Sequence, residues 1–200
     1  MNVAVLGSGS WATALAKIVM HNVAEINWYI RKQETIDEFR EIRRNPNHLE
    51  WAYFDISRIN FSNDINQVLS EAELVILAVP SPYVKDVLAE ITVDMSQKKV
   101  ISAVKGMIPG DNILVTDYMH QHFHVPEANL GMITGPCHAE EIALERLSYL
   151  TIGCKDTANA TEWKKLFDTP YVRTTPSNDM KGLEYASVMK NIYAIAAGMC

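Results

Sequence analysis

Short runs of apolar residues alternate with longer amphipathic stretches along this chain, and turn residues separate the two. The runs at 2–6, 26–30, 59–61, 74–79, 99–104, 130–134, 149–152 and 171–174 read as strands. Several are apolar on both faces, as a parallel sheet covered by helices on each side requires. Between them the apolar positions take helical spacing. From Trp11 they fall at Ala14, Leu15, Ile18 and Val19, one face of a helix laid on a sheet. Further helices are predicted over 33–44, with Asn45-Pro46 as the expected stop, and over 64–70, 83–91, 113–120, 158–167 and 180–200. This alternation predicts an α/β fold, a mostly parallel sheet wound on both faces.

The boundary between the first strand and the first helix is Gly7-Ser8-Gly9-Ser10-Trp11-Ala12. Gly7 lets the chain reverse, Gly9 lets the backbone approach a pyrophosphate, and Ala12 is small enough for helix and strand to touch. The helix start adds unpaired N–H groups and a positive dipole end, so a dinucleotide site is expected here rather than an empty turn. At the end of the second strand, where an acid would bind the ribose 2′-hydroxyl of NAD, the chain has Arg31 and Lys32. That favours NADP(H), with NAD as the second choice. The alternative is that both are solvated loop charges.

Pro80 stops the 74–79 strand where a ligand crevice opens at the carboxyl ends of the sheet, and the 99–104 strand delivers Lys105-Gly106 to the same edge. Lys105 is read as an anion ligand, the following glycine freeing the backbone to approach something, in preference to a surface charge. A second strand-to-glycine-to-helix junction follows at Gly135-Pro136-Cys137-His138-Ala139-Glu140, which is expected to shape substrate and cofactor contacts. A thiolate–base pair of Cys137 and His138 is disfavoured, since neighbours in sequence seldom face one another. Along 180–200 Lys190 is the only charge after Glu184, and its helical neighbours are Ala186, Ser187, Tyr193 and Ala194. The expectation is a lysine in a poorly solvated stripe, able to pass a proton, against the alternative of one that snorkels to water.

Composition narrows the classes. A net charge of −6 over 200 residues leaves no basic excess for nucleic acid. Three widely spaced cysteines, Cys137, Cys154 and Cys200, suit a reducing cytoplasm and neither a disulfide framework nor a zinc site. No membrane span or signal peptide is read. His120, His122 and His124 alternate in a way that suits no ligand triad, so no metal is expected.

With these motifs in view, the chain resembles the bacterial NAD(P)-dependent glycerol-3-phosphate dehydrogenases. The family patterns GxGxWGTALA, AVPS, KG, GPS/T-x-A-x-E and G-x-E-x-x-x-x-x-K-N have counterparts here in GSGSWATALA, AVPS, KG, GPCHAEE and GLEYASVMKN. The resemblance implies a Rossmann domain over 1–178, and over 179–200 the first helix of an all-α substrate domain, in a chain truncated there. It implies reversible reduction of dihydroxyacetone phosphate to glycerol 3-phosphate for glycerophospholipid synthesis, a small phosphate substrate, and room for a homodimer. Lys190 matches the family's proton donor; Lys105, Gly135, Cys137 and Asn191 match substrate contacts. Gly7, Gly9, Ser10, Trp11, Ala12, Arg31, Lys32, Pro80, Lys105 and Ala139 match cofactor contacts. Ala12 stands where the family has glycine, and Cys137 where it has a hydroxyl residue, a better hydrogen-bond donor than a thiol. The arginine–asparagine pair that grips the substrate phosphate belongs to the family's helical domain. Competing readings are another two-domain reductase of a small acid or phosphate, and a dinucleotide-sensing module without catalysis. A methyltransferase is disfavoured, because such enzymes want an acid where Arg31-Lys32 stands.

Overall fold

The computed structural model describes residues 1–199. Strands and helices follow one another as β1 (Val3–Leu6), α1 (Ser10–Val19), β2 (Ile26–Tyr29), α2 (Gln33–Ile42), β3 (Ile59–Ser62), α3 (Ile65–Ser70), β4 (Leu74–Leu77) and α4 (Ser81–Ala89). They continue with β5 (Lys99–Ser102), α5 (Val115–Phe123), β6 (Leu130–Thr134), α6 (Ala139–Ala143), β7 (Ser148–Cys154), α7 (Thr157–Phe167), β8 (Val172–Ser177) and α8 (Met180–Gly198). The sheet runs β3-β2-β1-β4-β5-β6-β7-β8. All neighbours pair in parallel except β6 and β7, which pair antiparallel with Thr134 opposite Thr151. The order reverses between β1 and β4, the switch point at which a doubly wound sheet opens a crevice.

Successive strand residues feed opposite cores, which is why the strands read as unbroken apolar runs. Val3 and Val5 of β1 join one cluster with α1, α2 and α7, centred on Trp28, Phe39 and Trp163. Ala4 and Leu6 join the other, with α3, α4 and α5.

Two predicted boundaries are corrected. Helix α2 ends at Ile42, three residues before Asn45, because Arg43 turns into the left-handed region at φ 55°. Helix α5 lies later than expected, so His120 and His122 fall inside it; His124 forms its left-handed cap, and His120 Nδ1 pairs with the Val125 carbonyl at 2.9 Å. No cluster of metal-ligating side chains occurs among the described residues. No helix among them is long and apolar enough to cross a membrane. Cys200 lies outside the described residues, and Cys137 and Cys154 are free and buried.

Helix α8 starts where the Asp179 carboxylate accepts from the Gly182 amide at 2.9 Å. It can lie on the sheet because Gly153 has no side chain: a Cβ there would stand 2.7 Å from Leu183 and 2.9 Å from Met180. Only its first half is docked. Met189, Ile192, Tyr193, Ile195 and Met199 are exposed, and so is Lys190. The expected burial of Lys190 is therefore corrected: the stripe around it is apolar, but no other described element covers that part of the helix.

Candidate functional site

The Gly7–Ala12 turn is held from three sides. Trp28 Nε1 of β2 donates to the Gly7 carbonyl at 2.7 Å. Buried Asn45 donates through Nδ2 to the Ser8 carbonyl and to Thr13 Oγ1, each at 2.8 Å. Gly7 itself sits at φ +118°, with the Ala78 carbonyl oxygen 2.6 Å from where a Cβ would be. Gly9 contrasts with it, since nothing lies within 4 Å of its Cβ position. Gly9 is also the cap of α1 and has no side chain to bond the first-turn amides, so they remain available to an anion. Ala12 is fully buried where α1 meets the core, the packing role expected of it.

Two adjoining cavities open along this turn and share Gly9, Val79 and Pro80. One, of 320 Å³, adds Ser10, Trp11, Ser81, Ala103, Val104 and Lys105, and so collects the carboxyl ends of β1, β4 and β5. The other, of 220 Å³, adds Gly7, Tyr29, Arg31, His48 and Tyr83. Lys32, by contrast, caps α2 and lines neither. The Trp11 indole Nε1 is buried without a hydrogen-bond partner among the described residues, an orphan donor in the wall of the larger cavity. A still larger concavity of 540 Å³ lies at the far end of α1. Its cations are engaged with protein: Lys17 with the Ala143 carbonyl and Glu145, and Arg58 with the carbonyls of Met20, Val23 and Ala24.

Lys105 places Nζ 4.7 Å from the centroid of the Trp11 ring. Burial of that ammonium end, and then the nearby Lys190 charge, hold its pKa below the usual lysine value, although the residue keeps a solvent-exposed side. Cys137, buried just after β6, has its thiol pushed up by burial and eased back by Lys105 and Lys190. Of these three residues only Lys105 lines the crevice; Cys137 and Lys190 lie outside both cavities, near enough for charge to act among them. Gly135 is required by packing, since a side chain there would strike the Tyr149 carbonyl. Ala139 is buried at the first position of α6, and Asn191 is exposed beside Lys190; none of Gly135, Ala139 and Asn191 lines the two cavities. His138 caps α6, its backbone N–H donating to Glu141 at 3.2 Å, and among the described residues no hydrogen bond joins its ring to Cys137.

Sequence reasoning missed His48. Its Nδ1 lies 3.2 Å from Ser10 Oγ, it lines the smaller cavity beside Arg31, and it comes from the loop after α2. The available signal was Asn45, a polar residue three positions earlier that proves to be buried.

Residues 2–160 match the family profile of the NAD-dependent glycerol-3-phosphate dehydrogenase N-terminus. The chain belongs to this dehydrogenase family. It is 32% identical over 200 residues to the glycerol-3-phosphate dehydrogenase [NAD(P)+] of Exiguobacterium sp., covering 99% of this chain and 58% of that protein. The enzyme of the same name from Oceanobacillus iheyensis is 31% identical over 98% of this chain and 57% of its own length. The chain therefore spans somewhat over half the length of these dehydrogenases. A solved glycerol-3-phosphate dehydrogenase from Plasmodium falciparum superimposes with a TM-score of 0.90 and 30% identity, over all of this chain and 58% of that one. A GDP-mannose dehydrogenase from Pseudomonas aeruginosa, 12% identical over 98% of this chain and 50% of that one, superimposes with a TM-score of 0.75 and shares the fold.

Proposed function

We propose that this chain is the nucleotide-binding part of a cytoplasmic NADPH-dependent glycerol-3-phosphate dehydrogenase that reduces dihydroxyacetone phosphate reversibly for glycerophospholipid synthesis. The observation that carries the reading is Lys105 set over the Trp11 ring in the glycine-loop crevice, with Lys190 and Cys137 near enough for their charges to act on it. The residues present fit a dinucleotide. The open space at Gly9 and the uncapped start of α1 suit a diphosphate, the orphan Trp11 Nε1 offers a donor, and Arg31 with His48 offers cationic and polar groups toward a ribose phosphate.

When bound, a reduced nicotinamide supplies the hydride. The chain's own residues supply the rest. Lys105 and Lys190 stabilise the negative charge that grows on the carbonyl oxygen, and Lys190 delivers the proton there. Cys137 and Gly135 bound the substrate side of the crevice, with Asn191 on the turn of α8 that carries Lys190. We place the start of the substrate domain at residue 179 and the grip on the substrate phosphate outside residues 1–200.

Fluorescence titration with NADPH and NADH tests this. The wild-type chain should take NADPH in preference, and Arg31→Ala should lose about tenfold in NADPH affinity while NADH binding barely changes. Binding of neither nucleotide would sink the reading; equal losses for both would sink the NADPH preference.

A further inference from the structure

The Glu184 carboxylate of α8 is fully buried, although no cation is bonded to it among the described residues. It accepts from Thr116 Oγ1 at 2.5 Å and from the Thr116 amide at 3.2 Å, and it also takes the Val115 amide. These are the first residues of α5, whose cap, Leu114, has no side-chain acceptor. A side chain from a distant helix therefore caps α5, with both the amides and the helix dipole favouring a negative oxygen. Asp117 on α5 faces the same region and is held by Lys181 of α8 at 3.0 Å.

One turn further along α8, Ser187 Oγ donates to Thr134 Oγ1 at 2.8 Å, at the last residue of β6. Each three-residue step turns a helix about 60° short of a full revolution, so the line from Glu184 through Ser187 to Lys190 winds slowly around α8. It begins against α5 and passes the end of β6, and Lys190 follows one turn on, near enough for its charge to act on the Cys137 thiol. Beyond Ser187 no other described element covers Lys190.

We propose that Glu184 is a positioning residue: by capping α5 it fixes the rotation and height of α8, and so holds the Lys190 ammonium at the crevice next to Cys137. This rests on the proposed function for the importance of Lys190, but its test needs no turnover. Burial raises the Cys137 thiol, Lys105 and Lys190 lower it, and Glu141 opposes them, so the thiol reports where the Lys190 charge is.

The experiment follows the pH dependence of Cys137 alkylation by iodoacetamide in the 200-residue chain, read by peptide mass spectrometry so that Cys154 and Cys200 are scored apart. Lys190→Met should raise the Cys137 midpoint by about half a pH unit. Glu184→Gln should raise it comparably with Lys190 still present, and the double variant should shift no further than Lys190→Met alone. Thr116→Val, a milder change, should move it in the same direction and carries the test if Glu184→Gln fails to fold; retained NADPH binding certifies folding. If Lys190→Met shifts the midpoint and neither Glu184→Gln nor Thr116→Val does, or if the shifts add, the positioning role is overturned and the proposed function stands. If Lys190→Met itself has no effect, Lys190 is not at the crevice and both fall.

Discussion

Gly7 and Gly9 are two residues apart and are glycine for opposite reasons, which makes them separable. A side chain at Gly7 meets the Ala78 carbonyl and a backbone at φ +118°. Gly7→Ala should therefore lower the unfolding free energy by about 2 kcal/mol or more in urea denaturation. Gly9→Ala meets nothing in the protein, so its stability should stay within about 0.5 kcal/mol of wild type while NADPH affinity falls at least about tenfold. A loss of stability at Gly9 would mean that its space is not reserved for a ligand. At this scale the gathering of the glycine turn, Arg31 and Lys105 along one crevice was legible in the sequence because each stands at a strand end. His48 was not, because its partner Ser10 lies 38 residues away and no local pattern records that pairing. Lys190 was misjudged for a related reason: an apolar helix face announces burial, but whether a neighbour arrives to cover it is not written in that helix.

Secondary elements were legible to within a few residues, and the shifts have causes. Asn45 was read as part of a helix stop; Arg43 ends α2 first, which frees Asn45 to turn inward and brace the glycine turn. The buried acid of α8 was quoted only as part of a motif, because its partner is the start of another helix. Burial raises the Glu184 pKa above the usual carboxylate value, partly offset by Thr116 and Val115. A raised folded-state pKa means that the folded form holds the proton more tightly than the unfolded one. The resulting penalty is full above the folded pKa and fades as pH falls toward the ordinary carboxylate range. Urea denaturation between about pH 8 and about pH 5 should accordingly show stability rising with acid in wild type relative to Glu184→Gln. A constant difference between the two proteins would show that Glu184 does not titrate differently on folding.

For the molecule as a whole, strand–helix alternation announced a doubly wound sheet, whereas the antiparallel pairing of β6 with β7 had no signal in an apolar run that suits either direction. The exposed outer half of α8 bears on activity. We expect the 200-residue chain to bind NADPH yet to oxidise it only slowly with dihydroxyacetone phosphate, and Lys190→Ala to abolish that residual loss of 340 nm absorbance while sparing nucleotide binding. Rapid turnover would show that these residues grip the substrate phosphate unaided. The single reversed pairing also decides which way the last helix travels. Because β7 and β8 run against the other strands, β8 exits at the rim away from the nucleotide, and α8 must climb back along the sheet. A chain that kept every strand pointing one way would launch α8 from the nucleotide rim and send its amine off toward the opposite side; the two strands turned against the rest are what bring Lys190 back toward that rim.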